Sequence, residues 1–312
     1  MAATDKSQGI GIKDRIPYEI SWWQLAMLFV CHHLSITVSY TPTISGSLPP
    51  VRDTWLAALL AWIPGFISAL IAWWLAKRFE GQNVYELTKT ILGRYLGTFV
   101  NVVFVVYLLY WTTLVTREFA VFTASVVYVQ TPEFVFSILF VLIALVGASR
   151  HIEFVGRAAE SFAPFFIGSL ILLLVGLIPD VDIGRLRPVL AEGWQGVLRQ
   201  ALTPAAYFAE AGWVALLAMP YLNNLKDGPK ALGTGFGVNV AFATLAAVMF
   251  VGVFGPELLS LIVFPTFSAA RVIRFGTFLE RVEWPLLVLW VGAMGVSVSL
   301  LLLGCSLVGE CK

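Results

Sequence analysis

The chain has 312 residues, 59% of them hydrophobic and only 12% charged, with a mean hydropathy of +0.85. Soluble domains carry about 25% charged residues. Composition therefore excludes an ordinary soluble globule, and apolar runs recurring along the whole length exclude a soluble domain on one anchor. The formal net charge of +1 gives no reason to propose a nucleic-acid partner.

A bilayer core of roughly 30 Å is crossed by about 20 apolar residues in a helix. The residues predict spans at 20–42, 54–78, 96–122, 133–150, 157–178, 196–222, 231–254 and 279–304. A polar tail with Asp5, Lys6, Lys13, Asp14 and Arg15 precedes the first, which reads as a retained span and not a cleaved signal peptide. Residues 255–278, with Pro256, Pro265, Arg271 and Arg274, read as two short surface-lying helices. The early short loops place Lys77, Arg78, Lys89 and Arg94 on the side of the tail, so the N-terminus is expected in the cytoplasm.

Two spans carry signals that break a helix. The first runs Leu34-Ser35-Ile36-Thr37-Val38-Ser39-Tyr40-Thr41-Pro42, and the sixth runs Thr203-Pro204-Ala205-Ala206-Tyr207-Phe208-Ala209-Glu210-Ala211-Gly212. A broken helix in lipid survives only where it is packed in protein or lines a cavity. Paired breaks five spans apart mark the binding site of inverted-repeat transporters. Glu210 adds a carboxylate near mid-span, costly unless paired, protonated or hydrated. It reads as a ligand contact, a proton site or one half of a structural pair.

The other polar residues have plainer readings. Arg117 and Glu118 read as a solvated helix end, Arg157 and Glu160 as a local i,i+3 pair, and Glu280, Arg281 and Glu283 as a helix start. His32 and His33 point about 100° apart on a helix. No further ligand clusters near them in sequence, so no metal is assigned. Cys31, Cys305 and Cys311 lack redox or metal spacing. No phosphate loop, H-E-x-x-H or nucleophile elbow is present. Gly233-Thr234-Gly235-Phe236-Gly237 reads as close helix packing. Tyr107 and Tyr110 share a face at i,i+3, as Tyr107 and Trp111 do at i,i+4. Trp290, Met294 and Ser297 share another, flanked by Gly292 and Gly295.

Several stretches in order resemble the spore germination permeases, the B-type subunits of bacterial germinant receptors. They are Gly81-Gln82-Asn83-Val84-Tyr85-Glu86-Leu87, Leu114-Val115-Thr116-Arg117-Glu118-Phe119-Ala120, Gly156-Arg157-Ala158-Ala159-Glu160, Ile178-Pro179-Asp180-Val181-Asp182, Met219-Pro220-Tyr221-Leu222-Asn223, Gly255-Pro256-Glu257-Leu258 and Phe278-Leu279-Glu280-Arg281-Val282-Glu283. The resemblance implies the amino acid–polyamine–organocation superfamily and an all-α, LeuT-type inverted-repeat membrane bundle. On that pattern residues 1–312 form one permease-like domain. It consists of a tail at 1–19, a first five-helix repeat at 20–178 and a second repeat at 196–304. The family normally has ten spans, so spans nine and ten are expected to be missing after Leu307-Val308-Gly309-Glu310-Cys311-Lys312.

The implied role is nutrient sensing in the spore inner membrane, with an A-type membrane subunit and a C-type lipoprotein as partners. The ligand would be an amino acid or similar nutrient, bound where spans one, three, six and eight meet, with no cofactor. Carried onto this chain, the candidate ligand residues are Ser35, Thr37, Tyr107, Tyr110, Tyr207, Glu210, Met294 and Ser297. Tyr, Trp and Met around such a cavity suit a small or medium apolar amino acid. The alternative is a proton- or sodium-coupled amino acid transporter. The fifth span has no ionisable residue at mid-depth to carry a proton, which favours a sensor. An enzyme would need clustered nucleophile, base or metal residues, which the sequence does not display.

Overall fold

Backbone N–H and C=O groups find no water in lipid, so a chain this apolar must satisfy them within helices. The computed structural model describes residues 18–40, 52–190, 193–273 and 283–310. The described helices are α1 (Trp22–Tyr40), α2 (Thr54–Arg78), α3 (Val84–Phe122), α4 (Glu133–Ala148) and α5 (Ile152–Leu177). They continue with α6 (Gly193–Phe208), α7 (Ala211–Ala218), α8 (Gly228–Leu259), α9 (Pro265–Val272) and α10 (Glu283–Ser306). Six helical segments are long and apolar enough to cross a membrane: Thr54–Arg78, Val84–Val127, Ile152–Asp180, Gly193–Tyr221, Leu225–Leu259 and Glu283–Ser306. With α1 and the shorter apolar α4 they form a multi-pass helical membrane bundle. No strand occurs among the described residues; a lone bridge joins Ile20 to Leu222.

The side-chain pattern is that of helices solvated by lipid. On α2, Ile63, Ile67, Ile71 and Trp74 are exposed at helical spacing. The opposite stripe of α2 buries small residues, Ala57, Ala61, Gly65, Ala69, Ala72 and Ala76. Lipid tails are as apolar as leucine, so helices here associate through close packing and hydrogen bonds, which small residues permit. A Cβ on Gly65 would collide with the backbone of Phe208, and one on Gly212 would come within 2.9 Å of Ser68. Thus α2 lies directly on the junction of α6 and α7.

Helix α1 is the axis of the bundle, with Leu25 through Val38 all buried. Its neighbours hold it by specific contacts. From α8, Asn239 Nδ2 donates to Phe29 O at 3.3 Å, and a Cβ on Gly235 would meet the Phe29 side chain at 2.8 Å. Gly235 thus shows the expected close packing, whereas Gly233 and Gly237 face open space. From α10, Trp290 Nε1 donates to Ser35 O at 2.8 Å. From α5, Glu160 Oε2 accepts from Gln24 Nε2 at 3.0 Å. Before α1, Ile20 N donates to Tyr221 O at 2.9 Å and Asn223 N donates to Ile20 O at 3.0 Å. The start of α1 and the end of the α7 segment therefore share one end of the bundle.

Short helices follow residue 254 as expected, but α9 does not lie on the surface: Pro265, Thr266, Phe267, Ala269 and Ala270 are buried. Gly255, at φ 74°, turns the chain at the end of the seventh span into Pro256–Leu259, and α9 follows. The same device at Gly93, φ 77°, separates residues 84–92 from the third span. That preceding piece starts with a capping box: Asn83 Oδ1 accepts from Tyr85 N (3.0 Å) and Glu86 N (2.9 Å), and Glu86 Oε2 accepts from Asn83 N at 3.3 Å.

Two local readings are corrected, and a third is met in part. Arg157 pairs with Glu153 one turn earlier, at 2.7 Å, because Glu160 is turned inward to Gln24. Glu118 is buried while its neighbour Arg117 is exposed, so the two do not form one solvated end. The first span is helical throughout its described part. Ser35 and Thr37 return their hydroxyls to the carbonyls of His32 (3.1 Å) and His33 (2.8 Å), which satisfies them without a break. Thr41 and Pro42, like Glu280 and Arg281, lie outside the described residues.

Candidate functional site

The sixth span breaks between α6 and α7, at Ala209 and Glu210. Pro204 does not cause it; the proline sits inside α6, and the helix continues to Phe208. The break falls where α2 presses on the chain. Ser68 Oγ lies 2.9 Å from Ala209 O and 2.8 Å from Gly65 O, so one hydroxyl proton serves a carbonyl at the break or its own helix. Ala209 N still donates to Ala205 O (3.0 Å) and Glu210 N to Tyr207 O (3.2 Å). Glu210 O then accepts from Trp213 N at 2.8 Å to start α7. The junction is a tight turn that projects the Glu210 side chain into the interior.

That side chain is buried, and His32 of α1 meets it: His32 Nε2 lies 3.1 Å from Glu210 Oε1. The other ring nitrogen, His32 Nδ1, lies 2.7 Å from Ser297 Oγ of α10. Two consistent assignments exist, since a neutral imidazole carries one N–H. In the one that needs no further group, Ser297 O–H donates to Nδ1, and Nε2–H donates to the carboxylate. A Ser–His–Glu relay thus links α10, α1 and the α6–α7 break through the middle of the bundle.

His33 completes the cluster. Its Nδ1 lies 3.2 Å from Phe29 O; a carbonyl can only accept, so Nδ1 carries the proton and Nε2 presents a lone pair. Nε2 is buried and has no hydrogen-bond partner among the described residues. The ring stacks on Phe29 (centroids 5.6 Å apart, planes at 1°) and meets His32 edge-on at 4.9 Å. Trp62 of α2 lies 5.6 Å from it, and the buried Trp62 Nε1 likewise has no partner among the described residues. One ligating atom from each of His32, His33 and Glu210 falls within 4.8 Å of the others.

The sequence expectations meet this geometry unevenly. Glu210 and Ser297 are brought together, with His32 between them. Ser35 and Thr37 are buried on α1 but turn their hydroxyls to their own helix. Met294 is fully buried one turn from Ser297. Tyr107 and Tyr207 belong to an adjoining aromatic wall: Tyr107 lies 5.8 Å from Trp213 and 6.3 Å from Trp111, and Trp111 lies 5.2 Å from Tyr207. Tyr110 points outward at 58% exposure and is not gathered with the others. The reading that no ligand clusters with the histidines is overturned, because Glu210, 178 residues from His32, supplies one. The available signal was two histidines inside an apolar run, each of which needs a partner there.

Comparison with known proteins agrees with the resemblance. Spore germination protein KB of Bacillus subtilis (strain 168) is 27% identical over 268 residues, covering 85% of this chain and 70% of that protein. Spore germination protein YndE of the same organism is 23% identical over 274 residues, covering 88% and 75%. Spore germination protein XB of Bacillus anthracis is 22% identical over 267 residues, covering 80% and 70%. Residues 19–310, which include every described helix, match the family described as spore germination protein. The chain belongs to this spore germination permease family.

Proposed function

We propose that this protein is the permease-like, nutrient-sensing subunit of a germinant receptor, which binds an amino acid at the α6–α7 break and signals to partner subunits. The observation that carries the reading is Glu210: a buried carboxylate at the one junction where the described sixth span is interrupted, held against α1 and α10. A zwitterionic ligand needs acceptors for its ammonium and donors for its carboxylate. Glu210 and the His33 Nε2 lone pair are acceptors, and Trp62 Nε1–H is a donor. Leaving such groups unmet in the interior costs about 1–3 kcal/mol each, and a ligand that meets them recovers that cost. The aromatic wall of Tyr107, Trp111, Tyr207 and Trp213 suits a small or medium apolar side chain.

Signalling requires that two states bind the ligand differently. The break is the natural element for that, since a turn between two helices can change angle where a continuous helix cannot. On this reading the protein lies in the spore inner membrane with its N-terminus in the cytoplasm. It carries no catalysis and works with an A-type membrane subunit and a C-type lipoprotein. The test is germination of spores in which Glu210→Gln replaces the native residue. Response to the cognate amino acid should fall at least about tenfold in sensitivity, the loss of a charge-assisted bond worth roughly 1.5–3 kcal/mol, with membrane levels unchanged. An undiminished response would remove Glu210 from the ligand site.

A further inference from the structure

We infer that His32, His33 and Glu210 form a binding site for a divalent late first-row transition-metal cation of the Zn2+ class. The inference goes beyond nutrient sensing and does not rest on it; the cation and a ligand ammonium would compete for Glu210 and His33 Nε2.

The donor set is the first argument. Two imidazoles and one carboxylate, each buried, place one ligating atom apiece within 4.8 Å of one another. Imidazole and carboxylate together suit Zn2+ and its neighbours, and three protein ligands with a fourth position open form a familiar Zn2+ arrangement. The cluster offers no thiolate: Cys31, next in sequence, turns its Sγ to Ala159 O on α5 at 3.9 Å.

Ring orientation is the second, independent argument. Metal-binding histidines hand their other ring nitrogen to a carbonyl or similar group, which fixes the tautomer. His33 does this through Phe29 O, and Ser297 is the corresponding partner of His32. With Ser297 Oγ accepting from Nδ1–H, His32 Nε2 becomes a lone pair facing the Glu210 carboxylate at 3.1 Å. In that tautomer the contact needs a proton on the Glu210 carboxyl or a cation shared between the two atoms. The His33 Nε2 lone pair, buried without a partner among the described residues, is the third such atom. A cation at their centre satisfies all three at once.

Occupancy has a mechanical consequence. Zn–N and Zn–O bonds of about 2.0–2.2 Å set ligand atoms about 3.3 Å apart around a tetrahedral ion. His32 and Glu210 already stand 3.1 Å apart, so closing a spread of up to 4.8 Å falls on the distances to His33. A bound cation would thus tie the α6–α7 break to two neighbouring residues of α1.

The experiment is titration of the full chain, purified in detergent without a histidine tag and stripped with chelator, with Zn2+ alone by calorimetry, and with Co2+ alone by visible absorption. The expected result is one saturable equivalent and the intense visible bands of four-coordinate Co2+. His33→Ala and Glu210→Gln should lose both, and Ser297→Ala should weaken binding about tenfold. His151→Ala is the control, since His151 stacks on Tyr18 away from the cluster, with centroids 3.5 Å apart. It should bind as wild type. No saturable binding overturns the proposal. So does binding that survives Glu210→Gln but is lost in His151→Ala. Should His33→Ala fail to fold, the near-isosteric Glu210→Gln decides. Amino-acid binding measured in chelator reports on the nutrient reading alone, so either idea can fail without the other.

Discussion

At the scale of single residues, a few side-chain hydrogen bonds tie the interior together. Ser68 Oγ is the side chain that reaches Ala209 O, a carbonyl at the break. Ser68→Ala leaves that carbonyl only the longer bond from Gly212 N at 3.4 Å, at a cost of about 1 kcal/mol. A lower melting temperature in detergent, with normal membrane insertion, is the expected outcome. Asn83→Ala removes a capping box and should cost roughly 1 kcal/mol in the same measurement. The sequence made Glu210 conspicuous, because a lone carboxylate in an apolar span demands an explanation. It did not reveal the histidines as its partners. Adjacent helical positions diverge by about 100°, and only the inward reach of Glu210 from another span brings one group close to both rings.

At the scale of elements, glycine positions separate packing from conformation. Gly93 adopts φ 77° and ψ 173° with nothing near its missing Cβ, so Gly93→Ala should destabilise through backbone strain alone, by about 1–3 kcal/mol. Gly65→Ala acts in the opposite way. Its backbone is helical, but the new methyl meets the Phe208 carbonyl and must push α2 off the break. Gly233→Ala, with open space and helical geometry, should be neutral or slightly stabilising. Thermal unfolding of the three variants side by side checks the ranking. The long helices were legible because apolar length alone forces a span in lipid. The segment of the break was legible too, since Ala209–Glu210 falls within Thr203–Gly212; its exact position was not, because Pro204 sits inside α6 and the interruption lies where α2 makes contact. In α1 the hydroxyls of Ser35 and Thr37 bond back to their own helix and leave it intact, and the break expected at Pro42 lies outside the described residues.

At the scale of the whole molecule, the bundle is apolar outside as well as inside. Large apolar side chains such as Ile67, Phe99, Ile143 and Phe165 face outward, and others such as Phe29, Phe166 and Trp290 fill the core. A polar relay sits within that core around α1. A polar centre inside an apolar shell is costly, and here it coincides with the interrupted helix and the aromatic wall. On the proposed function, this centre receives an amino acid. The most direct measurement is the melting temperature of the purified protein in detergent and chelator against a panel of amino acids, for wild type and Glu210→Gln. A ligand that binds only the folded state raises the melting temperature by mass action. The expected result is a concentration-dependent rise with at least one amino acid in wild type and its loss in a folded Glu210→Gln. A rise that persists undiminished in Glu210→Gln, or no rise with any amino acid from a well-folded wild type, would contradict it.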